Sequence, residues 1–509
     1  MTFILIYVFS DIYFKFFGVG ERGRSMNFKL VLRITAIVII ILSLSMMLPV
    51  IVALIYGEYG RLYDFILPAV IASILSGMVL LTVKKNATTL LPRDGFFIVV
   101  IVWFIASVFG AIPFMSSGEI PSFADALFET VSGFTTTGST ILSNVEDKSR
   151  SILFWRSLTH WLGGMGIISL AVAILPILGV SGLQLLRAEM PGPDVERLTP
   201  RITSTALILW GIYAGMTLAE TALLMAGGMD LFDALTHSFG TLATGGYSTR
   251  NASVAAFNSA YIDWVITLFM IMSGVNFTLY YRILNRRFTS VFRNTELRAY
   301  LAVFFIAVVI VVISLYGNVY HSLADCFRYG AFQVATLMTS TGFATADYDL
   351  WPPLAQSILL IMLFIGGCVG STSGGIKMLH VVVLSKQALN EIKYLLHPRG
   401  VFVFRLNGAV VKKSFIYSII GFVFLYISLV LVSTVVVSAS GADLISSMSA
   451  TLACIGNIGP GFGAVGPTRN FGFFPPIIKY WLVLIMIVGR LEIYTFIVLL
   501  SPHYWDNIL

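Results

Sequence analysis

Apolar stretches of roughly 20 residues, the length that crosses a hydrocarbon core, alternate with short polar breaks along most of this chain. Ten such spans are expected, at about 31–56, 65–83, 95–115, 154–180, 202–225, 264–283, 301–316, a segment starting near Pro353, 415–438 and 477–500. The first two form a plain hairpin turned by Glu58, Arg61 and Asp64. The other eight pair up around breaks of a different kind. Thr135–Ser139, Ala243–Ser248, Thr339–Phe343 and Cys454–Pro460 are rich in Thr, Ser and Gly, and each follows a semi-polar run that starts near an Asp. Those residues, Asp125, Asp233, Asp325 and Asp443, recur at intervals of 108, 92 and 118 positions. The spacing predicts a fourfold repeat of span, short half-membrane helix opened by an N-terminal carboxylate, extended stretch and return span. Four unrelated soluble hairpins would not carry such flanking apolar runs.

Irregular backbone at membrane depth survives only where it is buried in protein or lines a watery cavity. Four such stretches around one axis would face it with carbonyl oxygens, as an ion selectivity filter requires. Glycine permits the backbone to aim successive carbonyls one way, and Thr and Ser add hydroxyls without bulk. The residues expected to contact the ion are Thr136, Thr137 and Gly138; Thr244 and Gly245; Ser340, Thr341 and Gly342; and Ile455, Gly456 and Asn457. Central glycines are assigned at Gly138, Gly245, Gly342 and Gly456. The second stretch has two adjacent glycines, which leaves its register open by one, and the fourth departs most from the pattern. No acidic ring lies in these stretches, which points to a monovalent cation.

The third return segment is interrupted by Gly366, Gly367, Gly370, Ser371, Thr372, Ser373, Gly374 and Gly375. A continuous helix there is costly, at about 1 kcal/mol per Gly against Ala, so two half-helices joined by a polar loop are expected. Small polar groups just inside a filter suit a gate; a kink that lets helices approach closely is the alternative. Lys377 closes this segment. Arg490 lies deep in the last apolar span, where a charge faces a cavity or a partner. It is a candidate for the pore wall, against the alternative of a buried ion pair, with Glu220 and Lys377 as further intramembrane charges.

Charge placement sets the topology. Lys84, Lys85 and Arg93; Arg187, Arg197 and Arg201; Arg286, Arg287, Arg293 and Arg298; and Lys386, Lys393, Arg399, Arg405, Lys412 and Lys413 fall in four loops on one face. The positive-inside rule makes that face cytoplasmic, with the four breaks opening outward. These loops could also meet lipid headgroups or an accessory protein. Across 509 residues only 11% are charged, against about 25% in soluble chains, which excludes a soluble α/β enzyme. The three cysteines form no CxxC pair and read as buried small side chains. His160 and His237 lack a ligand cluster and are expected to be hydrogen-bonding groups near the short helices. Residues 1–25 read as an upstream extension with Met26 as the natural start, or else as an interfacial helix.

With these residues in hand, the chain resembles the TrkH pore subunits of the Trk/Ktr/HKT superfamily of K⁺ transport proteins, over roughly residues 27–509. The resemblance rests on the Asp-started short helices, on Thr135–Ser139, Thr244–Ser248, Ser340–Phe343 and Ile455–Gly459, on Gly366–Gly375, on Arg490 and on the leading hairpin. It implies an all-α polytopic membrane protein with four covalently linked helix–pore-loop–helix repeats about a pseudo-fourfold pore. The expected division is 1–25 extension, 26–93 hairpin, 94–190, 191–290, 291–395 and 396–509 repeats. It also implies K⁺ bound in the filter, a gating role for Gly366–Gly375 and Arg490, and a bacterial inner-membrane homodimer. A cytosolic ring of TrkA-type subunits would carry any nucleotide site. Channel-like conduction is favoured over H⁺- or Na⁺-coupled symport, and a membrane enzyme or scaffold is disfavoured for want of a catalytic constellation.

Overall fold

The computed structural model describes residues 28–83, 92–166, 202–400 and 402–505. The expected basic residues Lys84, Lys85, Arg187, Arg197 and Arg201, the extension 1–25 and the second half of the 154–180 span lie outside them.

The leading hairpin is α1 (Phe28–Ser45), continued after Met46 as α2 (Met47–Ile55), and α3 (Leu62–Thr82). In the first repeat, α4 (Pro92–Ser116) leads to the short α5 (Phe123–Phe134) and the return helix α6 (Arg150–Gly164). The second has α7 (Ile202–Ala226), the short α8 (Leu231–Leu242), and a return made of α9 (Ala260–Ser273) and α10 (Phe277–Leu284). The third has α11 (Thr295–Leu315), the short α12 (Leu323–Met338), α13 (Pro353–Met362) and α14 (Met378–Leu396). The fourth has α15 (Lys413–Ser438), the short α16 (Leu444–Ile455), α17 (Pro476–Arg490) and α18 (Ile493–Leu500). Between α14 and α15, Arg405–Leu406 and Ala409–Val410 pair as a two-stranded antiparallel ribbon, β1 and β2. Its turn residues Asn407 and Gly408 both have positive φ, 48° and 84°, as a two-residue hairpin turn demands.

Among the described residues, length and hydropathy qualify six helical stretches as membrane spans: the leading pair and the first helix of every repeat. Large apolar side chains such as Leu81, Ile313 and Val435 are exposed on them, as lipid-facing residues should be. The short helices are the buried elements; ten of the twelve residues of α5 are buried, as are ten of twelve in α8. Hairpins therefore enclose an inner ring of half-membrane helices, which is the expected all-α architecture.

The return segments differ from the expected straight spans. Between α9 and α10 the chain bends by 95° at Gly274–Asn276, and between α17 and α18 by 114° at Leu491–Glu492. In the first repeat α6 ends at Gly164. The break expected only in the third repeat thus has counterparts in the second and fourth. The α17 helix stops because Glu492 takes φ 58°, a left-handed conformation that cannot continue a right-handed helix.

The loops between the short helices and the return segments are tied together. Val145 N–H donates to Asn251 at 2.7 Å and Phe471 N–H to the Thr140 carbonyl at 2.8 Å. Arg61, from the leading hairpin, pairs with Glu119 of the first repeat at 3.1 Å. At the opposite end the ribbon meets the start of α11, where Thr295 N–H donates to Asn407 Oδ1 at 2.8 Å.

Candidate functional site

Each short helix ends in the same turn. After its last helical residue come one capping residue, one non-glycine residue in the left-handed region, and then the extended stretch. The left-handed residues are Thr136 (φ 55°), Thr244 (56°), Ser340 (56°) and Asn457 (51°). At every one the Schellman pattern of crossed hydrogen bonds closes the helix. Thr137 N–H reaches the Ser132 carbonyl at 2.8 Å, Gly245 the Gly240 carbonyl at 2.8 Å, Thr341 the Thr336 carbonyl at 2.8 Å and Ile458 the Ala453 carbonyl at 2.9 Å.

This turn fixes the register. Two residues beyond each left-handed residue lies a second positive-φ position: Gly138 (79°), Gly246 (74°), Gly342 (88°) and Gly459 (98°). The equivalent glycines are therefore 138, 246, 342 and 459, and two of the sequence assignments shift. Gly245 occupies the place of Thr137 and Thr341. Gly456 is the capping residue of α16, matching Thr135, Ala243 and Thr339. Ile455 is the last helical residue of α16 and precedes the stretch. Adjacent or near-adjacent glycines cannot be ranked by composition; the sign of φ ranks them.

The four glycines close a ring. A Cβ on Gly138 would strike the carbonyl of Gly245, one on Gly246 that of Thr341, one on Gly342 that of Ile458, and one on Gly459 that of Thr137. Each stretch packs its glycine against the carbonyl of the next, and the fourth returns to the first. Matching hydroxyl pairs line the first and third stretches, Thr135 with Thr137 at 2.7 Å and Thr339 with Thr341 at 2.8 Å. Where the fourth stretch has Ile458 instead of Thr, Asn457 Nδ2 donates to Thr137 Oγ1 at 3.0 Å and to the Met486 carbonyl at 3.0 Å. Ser139 Oγ donates to the Gly459 carbonyl at 3.0 Å.

Behind the ring lies a buried polar shell that hydropathy did not reveal. Glu129 of α5 pairs with Arg156 of α6 at 2.6 Å, both essentially buried. Glu129 also accepts from Thr140 Oγ1 and Ile141 N–H. Arg156 donates to the Ser248 carbonyl and lies 3.5 Å over the Tyr247 ring, whose hydroxyl donates to the Glu129 carbonyl. Repeats one and two are thereby joined just beside their stretches. His160 bonds the Gly133 carbonyl through Nδ1 at 2.8 Å and stacks on Tyr247, while His237 bridges the Asp233 carbonyl and Ser248 Oγ. Among the described residues, no group of His, Cys, Asp and Glu is placed to hold a metal ion.

The Asp residues anchor more than they cap. Asp443 is an N-cap and accepts from Ser446 N–H at 3.1 Å. Asp125 and Asp233 lie within the first helical turn and pair instead with Lys479 and Arg250, each at 2.6 Å. Asp325 also lies in the first turn, of a helix that at 16 residues is one turn longer than the other three.

The interrupted third segment, Leu363–Lys377, forms an irregular loop inside the ring. Gly370 (φ 75°) and Gly375 (φ 68°) are left-handed, and its two ends are joined by a parallel bridge, Ile365 with Ile376. Ser373 Oγ lies 3.2 Å from Ser340 Oγ, and Gly374 N–H donates to Ser340 Oγ at 2.7 Å. A Cβ on Gly374 would strike the Gly456 carbonyl, one on Gly366 the Gly374 carbonyl, and one on Gly367 the Gly274 carbonyl. Thr372 Oγ1 donates to the Leu242 carbonyl at 2.9 Å, and the Cys368 N–H to the Gly274 carbonyl at 2.8 Å. The loop therefore touches the second, third and fourth repeats. Ser371 is half-buried and donates within the loop, to the Cys368 carbonyl at 2.6 Å. Lys377 Nζ folds back on the Ser373 carbonyl at 2.5 Å. Arg490 donates to the Thr372 carbonyl at 2.8 Å and to the Gly163 and Gly164 carbonyls at 2.7 and 2.9 Å. Its guanidinium thus bridges the loop to the end of α6.

The pattern that defines the TrkH family, cation transport proteins, matches residues 63–507. The chain is 40% identical to the Trk system potassium uptake protein TrkH of Escherichia coli K12 over 485 residues, covering 94% of this chain and all of that one. It is 38% identical to TrkG of the same organism, covering 91% of this chain and 96% of the relative. Its fold resembles the crystal structure of the potassium transporter TrkH from Vibrio parahaemolyticus, with a TM-score of 0.84 and 34% identity, covering 94% of this chain and all of that one.

Proposed function

Because the chain belongs to the TrkH family of cation transport proteins, we propose that it takes up potassium across the bacterial inner membrane through one central, gated pore. The observation that carries this reading is the closed ring in which Gly138, Gly246, Gly342 and Gly459 each abut the preceding carbonyl of the next stretch. Dehydrating a monovalent cation requires several oxygens held around it at once. The carbonyls of Thr137, Gly245, Thr341 and Ile458, with the hydroxyls of Thr137 and Thr341, are our candidates for that work. Schellman turns use some carbonyls at each helix end and leave the partly negative C-terminus of the dipole directed to the same region, which favours a cation.

Leu363–Lys377 serves as the gate, held in place by Ser340, Thr372 and Arg490. Conduction is channel-like: one ring selects and one loop obstructs. The working unit is a homodimer with a pore in each chain, and a cytosolic nucleotide-binding TrkA-type ring acts on the basic face that carries the β1–β2 ribbon. The repeats run 94–190, 191–290, 291–395 and 396–509. Purified protein in liposomes tests the reading: Rb⁺ uptake should persist when the Na⁺ gradient and then the proton gradient are abolished. Uptake that stops with either gradient identifies a symporter.

A further inference from the structure

Glu296 stands in the first turn of α11, where a carboxylate ordinarily serves the free amides of its own helix. That task is taken by Asn294, whose side chain accepts from Leu297 N–H at 2.9 Å. Glu296 points instead to the interrupted third segment. Its Oε1 accepts from Val369 N–H at 2.7 Å and from Leu379 N–H at 3.1 Å. These two amides flank the loop at Gly370–Gly375, so a single oxygen of a buried side chain closes its base. The preceding residue faces the other way: Thr295 N–H donates to Asn407 Oδ1 at the tip of the β1–β2 ribbon. Residues 295 and 296 therefore link the exposed ribbon tip to the backbone on either side of Gly370–Gly375 through three hydrogen bonds.

We propose that Glu296 is a positioning residue that latches this loop in its obstructing place, and that the ribbon tip bears on the latch through Thr295. The proposal rests on the reading of Leu363–Lys377 as the gate. Glu296, Val369 and Leu379 all line the inner cavity, so water can satisfy the two amides once the loop moves away. Release then leaves no orphaned donor, and the loop has a second accessible arrangement.

The test uses the full chain in liposomes and reads basal Rb⁺ uptake per reconstituted protein. Glu296→Ala, which removes both hydrogen bonds, should raise it about tenfold or more, with K⁺ over Na⁺ preference unchanged. Glu296→Gln keeps an acceptor oxygen and should restore most of the closure. Cys368, buried beside the latch, reports loop position independently. With Cys326 and Cys454 replaced by Ala, a water-soluble thiol reagent should label Cys368 faster in Glu296→Ala than in wild type or Glu296→Gln. Asn407→Ala should leak in the same direction but less, and it serves if Glu296→Ala fails to fold. Wild-type flux and labelling in the Ala variant, or a Gln variant as leaky as Ala, overturns the latch. A variant lacking the small residues around Gly370 separates the two readings. If that deletion leaks while Glu296→Ala stays tight, only the latch fails; if the deletion does not leak, the gate itself fails.

Discussion

The outer and inner halves of the proposed pathway are built on opposite plans. Outside, four short helices end in one repeated turn, and their four glycines close a ring by contacts of a single kind. Inside, among the described residues, the return segments differ from one another: α6 ends at Gly164, α9 bends at Gly274, α17 bends at Leu491, and the third segment inserts a fifteen-residue irregular loop, Leu363–Lys377. In our proposal the contrast divides the tasks. Oxygens that surround an ion are best supplied by near-symmetry, since each repeat contributes one equivalent wall. Movement is best supplied by asymmetry, since one loop can shift while the bends in the second and fourth segments keep their packing.

Substitutions in the ring should have the largest effect. Gly459→Ala places a side chain at φ 98° and against the Thr137 carbonyl of another repeat, whereas Gly456→Ala keeps φ −80° and meets the Ile458 side chain and the Leu452 carbonyl of its own repeat. Selectivity for Rb⁺ over Na⁺ should collapse in the first and survive in the second. Equal loss in both would restore Gly456 to the ring and break the register. Gly342→Ser, with φ 88° and the Ile458 carbonyl alongside, should likewise admit Na⁺.

The shell behind the ring comes next. Arg156→Ala leaves Glu129 buried without its cation, and removing one partner of a buried pair typically costs about 3–5 kcal/mol. A lowered melting temperature in detergent is the expected reading, together with lost selectivity. A protein that melts as wild type does would show that the shell does not support the ring.

On the inner side, removing the small residues around Gly370 should raise basal flux without changing ion preference, because the ring is left whole. Lower flux in a folded variant would remove the loop from the gate. The smallest effect is expected at Thr244→Gly. Thr244 adopts φ 56°, and its hydroxyl bonds only the adjacent Ala243 carbonyl at 2.6 Å. A left-handed L-residue costs roughly 1–2 kcal/mol, so the variant should melt slightly higher. A clear loss of stability would mean that the Thr244 side chain is a structural part of the turn.

Much of this architecture is legible in the sequence because membrane depth imposes a length on every apolar run. The first helix of each repeat follows from that length, and the four short helices from the Asp-led semi-polar runs between the spans. The bends at Gly274–Asn276 and Leu491–Glu492 do not, since a break of two or three residues vanishes in a twenty-residue average. A mid-segment glycine in every return segment (Gly164, Gly274, Gly366 and Gly489) was the available signal. The register of the second and fourth stretches was hidden by extra glycines, and only backbone handedness separates Gly246 from Gly245 and Gly459 from Gly456. Glu129 and Arg156 stand 27 positions apart, with nothing in their local pattern to join them. The role of Glu296 was equally invisible, because its partners are backbone amides and carry no residue signature.

The most direct test of the ring is the position of the ion itself. A crystal structure of the protein grown in Rb⁺, read by anomalous scattering, should place Rb⁺ on the axis bounded by the carbonyls of Thr137, Gly245, Thr341 and Ile458. Rb⁺ bound elsewhere along the pathway, with that ring empty, would contradict the account.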